Sequence, residues 1–147
     1  MKLFFNIVFA LLFTSVVASC SSSDNNPEPI PAYPRYGTPF ANKPKKEDAI
    51  IYQVNLRAFS QAGTLKGVQD KLTYIQELGV NVIYLMPIYP VGIMRSAGGM
   101  GSPYSVMDYK AVSTEFGTLD DLRVLVEEAH KKNMAVILDW VANHTSW

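Results

Sequence analysis

Apolar positions along this chain follow two periods, and the switches between them lay out its elements. Residues 49–54, AIIYQV, form a β-branched and aromatic run with the character of a strand. From residue 67 to 78 the spacing lengthens: Val68, Leu72, Ile75 and Leu78 recur on one helical face. Gly79 follows, where a helix C-terminus favours a left-handed residue. VNVIYLMP then predicts a second strand, stopped by Pro87.

A long connection from Ile88 to about Phe116 carries Pro90, GGMG and SPYSVMDY. Connections of that length inside a compact domain are usually functional. Thr118 with Asp121 suits a helix start, a hydroxyl and a carboxylate addressing free N–H groups. Leu119, Leu122, Leu125, Val126 and Ala129 supply that helix with a buried face, and Lys131 and Lys132 sit at its negative end. MAVILDW is the third strand, continuous in hydrophobicity as parallel strands buried on both faces are.

Strand, helix, strand, helix, strand implies parallel pairing through right-handed crossovers. Two α/β architectures begin this way, a doubly wound open sheet and an eight-stranded β/α (TIM) barrel. No G-x-G-x-x-G follows the first strand, where a dinucleotide-binding sheet would carry it. GGMG precedes neither Lys-Ser/Thr nor a helix, so loop flexibility explains it better than phosphate binding.

The N-terminus has the pattern of an address. Lys2 precedes LFFNIVFALLFTSVV, about fifteen mostly apolar residues, the length of a secretory signal core. A membrane-spanning helix would need about twenty. The run closes on VASC, and Cys20 is the chain's single cysteine, which leaves it no internal disulfide partner. This junction resembles the lipobox of a bacterial lipoprotein, which implies cleavage before Cys20 and lipidation of its thiol. An ordinary signal peptide and a short uncleaved anchor are the alternatives. The expected organisation is residues 1–19 as lipoprotein signal peptide, 20–46 as a flexible tether rich in Ser, Asn and Pro, and 47–147 as the domain. The expected location is the bacterial cell envelope, with the lipid anchor in a membrane and the domain on the periplasmic face or the cell surface.

Thirteen basic residues balance thirteen acidic ones, so no field of one sign exists to gather nucleic acid. With 48% hydrophobic residues the chain has globular character.

Candidate chemistry gathers after the third strand. In a parallel α/β domain the C-terminal strand ends share one rim, and polar residues there face ligands. Asp139 falls on that rim, with Asn143 and His144 in the same βα loop. An isolated Asp after a strand serves equally well to cap the following loop. One His and no neighbouring Cys make a thin set for a transition metal.

D-W-V-A-N-H, preceded by AVIL and by FGTLDDLRVLVEEAHKKNM, resembles the first signature region of the α-amylase family, glycoside hydrolase family 13. Upstream and in order, IIYQVNLRAF resembles that family's first barrel strand, LGVNVIYLMPIYP its second, and SPYSVMDY its tyrosine-bearing loop. The resemblance implies a partial β/α barrel, about three strands and two helices, whose rim binds an α-glucan, a maltooligosaccharide or a related α-glucoside. It implies that Asp139 is a supporting active-site carboxylate and not the nucleophile. His144 would donate to a sugar hydroxyl, Tyr104 would stack on the sugar's apolar face, and Asn143 would hold the loop. In calcium-dependent members an Asn at this place ligates the metal through its amide oxygen, which makes Asn143 a candidate calcium ligand. The DxDGDG type of calcium loop found in some members has no counterpart in the sequence.

Retaining glycoside hydrolysis uses two carboxyl groups about 5–5.5 Å apart. In the family these come from the fourth and fifth strands. Asp108 and Glu115 match neither catalytic signature, so no catalytic residue is expected among these residues, and the chain alone is expected to be inactive. A lipid-anchored protein that holds glucan without cutting it is the alternative.

Overall fold

In the computed structural model, which describes residues 38–96 and 98–147, three strands form one parallel sheet in the order β1–β2–β3. They are β1 Ile51–Val54, β2 Val82–Leu85 and β3 Ala135–Leu138. Ile51, Val82 and Ala135 stand in one row of the register, and Val54, Leu85 and Leu138 in the last. Cys20 and the expected signal peptide lie outside the described residues. The compact unit runs from Pro39 to Trp147.

The first crossover holds three short helices, α1 Leu56–Phe59, α2 Leu65–Gln69 and α3 Leu72–Glu77. The single helix expected over residues 67–78 is therefore divided, and the division has a local cause. Thr64 caps α2 by accepting from the Gly67 N–H, and Lys71 N–H then bonds back to Val68 O, a three-residue closure that tightens the turn at Asp70 and Lys71. Val68, Leu72 and Ile75 still reach the core, but Leu78 is half exposed. Gly79 adopts φ +80°, the left-handed ending expected there.

The second crossover is one helix, α4 Leu119–Lys131. Thr118 and Asp121 form a reciprocal capping box: the Thr118 hydroxyl accepts from Asp121 N–H, and the Asp121 carboxylate accepts from Thr118 N–H at 2.7 Å. Those bonds hold the Asp121 carboxyl below its ordinary value. Leu125 and Ala129 are buried and Leu122 is packed against the core, whereas Leu119 faces solvent at the first turn.

Successive side chains on a strand point to opposite faces, so the sheet has two. Val54, Ile83 and Leu85 point toward the helices and are 0% exposed. Ile51, Gln53, Tyr84 and Ile137 share the other face, with Ile51 56% and Ile137 43% exposed. At the N-terminal end of the strands this second face is partly roofed. Phe40 stacks on His130 with ring centroids 4.4 Å apart, and Asn42 donates to Asn133 at 2.9 Å. Beneath them lies a cavity of about 390 Å³ bounded by Phe40, Ile51, Val82, His130 and Ile137.

Candidate functional site

The polar groups gather at the other end, where the strands finish. Asp139 N–H bonds to Leu85 O at 2.9 Å, continuing the β2–β3 ladder one step beyond β3. Asp139 follows Ala135 and Ile137 on the face opposite the helices, and its carboxylate therefore meets that face's rim. There the Tyr104 hydroxyl donates to Asp139 Oδ2 at 3.0 Å. Tyr84, on the same face of β2, lies near enough to Asp139 to feel its carboxylate. Both phenols are raised above the ordinary tyrosine value, first because the Asp139 hydrogen bond favours the protonated form. Tyr89 is raised as well, mainly by burial and then by neighbouring Tyr109 and Asp139.

His144 reaches the same cluster from the β3 loop. Its Nε2 lies 3.0 Å from Tyr104 O, and its Nδ1 lies 3.2 Å from Asn143 Nδ2. A carbonyl only accepts and an amide nitrogen only donates, so these partners select the tautomer with hydrogen on Nε2. Tyr104, Asp139 and His144 thus stand together, with Asn143 beside the imidazole. The Nε2–H is given to the Tyr104 carbonyl, so a sugar hydroxyl would have to share or replace that bond.

The loops carrying these groups are stitched to each other. Tyr109 donates its hydroxyl to Val141 O and lies 3.0 Å from His144 O. Ser146 N–H bonds to Val106 O at 2.7 Å, and Val91 bridges Val106 within the β2 loop. Gly92 lies directly against Ser146, and a Cβ there would collide with the serine side chain. Within the connection from Ile88 to Phe116, Val91, Gly92, Val106 and Tyr109 therefore form the part on which the β3 loop packs.

Sequence reasoning did not anticipate Tyr84 or the pair Arg57 and Glu115. A tyrosine in an otherwise aliphatic strand, and an arginine just past the end of β1, were the available signals. Arg57 and Glu115 form a two-bonded ion pair at 2.7 and 2.9 Å. Asp108 accepts from Lys110 N–H in a local turn.

Among the described residues no three His, Cys, Asp or Glu side chains are grouped to hold a metal ion. Calcium favours several oxygen ligands including carboxylates. Asn143, whose amide nitrogen faces His144, does not by itself provide such a site.

Parallel strands, crossovers on one face and polar side chains collected at the C-terminal strand ends define a β/α-barrel protein, of which the described residues hold three strands. The chain belongs to the α-amylase family: the family described as "Alpha amylase, catalytic domain" matches residues 23–147. It is 35% identical over 105 residues to a probable oligo-1,6-glucosidase 2 of Bacillus subtilis (strain 168), covering 68% of this chain and 18% of that protein. An α-amylase of Lactobacillus plantarum superposes with a TM-score of 0.65 at 42% identity, covering 67% of this chain and 23% of the other. An α-amylase of Geobacillus thermoleovorans complexed with acarbose gives 0.61 at 38% identity, covering 71% and 25%. The chain spans about a fifth of the length of the curated relatives it matches.

Proposed function

We propose that these residues form the substrate-holding edge of an α-amylase-type glycoside hydrolase acting on α-glucans or related α-glucosides. The observation that carries this reading is the convergence of Tyr104, Asp139 and His144 at one strand end. A sugar ring has an apolar C–H face suited to an aromatic ring and hydroxyls that require fixed polar partners. Tyr104 supplies the ring, Asp139 and His144 the polar partners, and Asn143 supports the loop. Family membership and a relative complexed with acarbose support the same class of ligand.

The proposed chemistry is retaining hydrolysis by two carboxyl groups. Among the described residues Asp139 is the carboxylate bonded into the rim cluster, and the Tyr104 hydroxyl holds it there. That arrangement suits a supporting charge. The 147-residue chain should therefore bind maltoheptaose and leave it uncut. Calorimetry with maltoheptaose should show binding that weakens about tenfold or more in Tyr104→Ala and His144→Ala, each removing one anchor worth on the order of 1–2 kcal/mol. No binding by the unaltered chain would refute the reading. Release of reducing sugar above a His144→Ala control would overturn the proposal that the chain is inactive alone.

We further propose that Cys20 is lipidated and that the residues between it and the compact unit, which begins at Pro39, tether the domain to the bacterial envelope; the expected tether end at residue 46 moves back because Phe40 and Asn42 pack on His130 and Asn133. Lys2, the apolar run after it and the VASC junction support this. Cells expressing the chain should incorporate labelled palmitate, and Cys20→Ser should abolish the label. Equal labelling of both proteins would refute lipidation at this residue.

A further inference from the structure

We infer that Arg57 is a positioning residue of the rim, one whose guanidinium fixes the glycine-dense part of the β2 loop and thereby the Tyr104 ring. What Tyr104 does with a sugar rests on the function proposed above. What Arg57 holds rests on geometry alone.

Arg57 lies in α1, immediately beyond the end of β1. Its Nε donates to Glu115 Oε1 at 2.7 Å, and Nη2 to Glu115 Oε2 at 2.9 Å. Nη1 donates to Gly101 O at 2.9 Å, and Nη2 also reaches Met100 O at 3.1 Å. One planar fork thus grips a carboxylate and two successive carbonyls, a pattern that a lysine ammonium cannot reproduce.

The gripped segment has little conformational preference of its own. Gly98 and Gly101 adopt φ +81° and +65°, and Gly99 lies between them. Glycine is the residue that loses most freedom on ordering, so an external clamp is needed to hold such a stretch in one place. The clamp's other jaw is firm. Glu115 precedes buried Phe116, whose carbonyl accepts from Leu65 N–H at 2.9 Å and whose ring lies 5.9 Å from the guanidinium.

Tyr104 follows Gly101 closely along the loop. The intervening turn is closed by Ser105 N–H to Ser102 O at 2.9 Å. Tyr104 is then held from three directions: by Arg57 through its own loop, by Asp139 at its hydroxyl, and by His144 at its carbonyl. Without Arg57 the last two contacts would have to order the glycine segment unaided.

The test uses the 147-residue chain with two readouts, maltoheptaose affinity by calorimetry and the alkaline titration of the Tyr104 hydroxyl by NMR, assigned with Tyr104→Phe. In Arg57→Ala the affinity should fall about tenfold, the scale of losing charge-assisted bonds, and the hydroxyl should titrate closer to the ordinary tyrosine value. Arg57→Lys should restore less than half of either change. Millimolar methylguanidinium should rescue both in Arg57→Ala, which a merely destabilising substitution would not allow. Ile75→Val, a core trim in α3, should leave both readouts unchanged. If Arg57→Ala does not fold, Arg57→Lys and Glu115→Gln carry the test. Unaltered affinity and titration in the folded Arg57 variants would overturn the inference. Should the unaltered chain fail to bind maltoheptaose, the glucan reading fails, and the Tyr104 titration still decides the role of Arg57.

Discussion

The two faces of the sheet are built from the same residue types and meet different fates. Toward the helices, Val54, Ile83 and Leu85 are wholly buried. On the opposite face Ile51 and Ile137 keep about half their surface in water, although they belong to the same β-branched runs. Strands that are hydrophobic on both faces are those of parallel sheets covered on both sides. The second face therefore carries the composition of an interior, and the described residues cover it in part, burying Val82 while leaving Ile51 and Ile137 partly open. Its polar positions gather at the C-terminal strand ends, where Tyr84 and Asp139 meet Tyr104.

Truncation separates the faces most clearly. Leu85→Ala should lower unfolding free energy by about 2–5 kcal/mol in urea titrations, since it empties a filled core site. Ile137→Ala should cost less than about 1 kcal/mol, because partly exposed positions lose little on truncation. Equal losses would mean that the second face is covered in solution and would erase the distinction.

Next in size is the cap of the helix that covers the first face. Thr118→Ala should cost about 1 kcal/mol, by removing the hydroxyl that accepts from Asp121 N–H. A loss as large as that of Leu85→Ala would show that α4 and the sheet unfold from the cap inward.

The rim's contribution is read at alkaline pH. Tyr84 and Tyr104 have folded values above 10. Stability from their bonds to Asp139 is therefore complete below the ordinary value and lost as pH rises through the folded one. Asp139→Asn should bring both phenols back toward the ordinary value in ultraviolet difference titrations. Unmoved tyrosines would show that Asp139 does not organise this end of the face.

The smallest effect belongs to the partly roofed end. Burial against Phe40 lowers the His130 value below 6.5. The unfolded chain then binds more protons between the folded value and 6.5, so stability is full above that window and declines as pH falls through it. His130→Phe should flatten this decline. An unchanged acid profile would show that the stack is not what shelters the imidazole.

Much of this architecture is legible along the chain because its cause is local. Alternating periods mark the strands, Thr118 and Asp121 mark the start of α4, and Gly79 marks the end of α3. The helix expected over residues 67–78 is broken instead, because a tightened turn at Asp70 and Lys71 keeps the same apolar spacing while interrupting the helix. Leu78 and Leu119, expected in buried faces, lie at helix ends, where the face has already left the core. At the site, Asp139, Asn143 and His144 share one short loop and are visible together. Tyr104 needed the family resemblance, because it lies far from Asp139 along the chain, belongs to no local motif shared with it, and meets it only through folding.

Arg57, Tyr84 and the pairing of Glu115 with Arg57 escaped notice for the same reason. Each involves a residue of ordinary type whose partner lies on another element: Arg57 reaches the β2 loop and Glu115, and Tyr84 reaches Asp139. Neither periodicity nor spacing encodes such a pairing.

The order of the three strands, the helix α4 between the last two, the parallel sense of the sheet and the placing of Asp139, Asn143 and His144 in one loop follow from the amino-acid order unaided, because hydrophobic period, capping and turn chemistry act over a few neighbouring positions. Folding in three dimensions was needed to settle which face of the sheet the helices cover, where the first crossover bends, and how Tyr84, Tyr104 and Arg57 are joined to their partners. Those outcomes depend on hydrogen bonds and packing between groups distant along the chain, whose geometry exists only once the strands are in register.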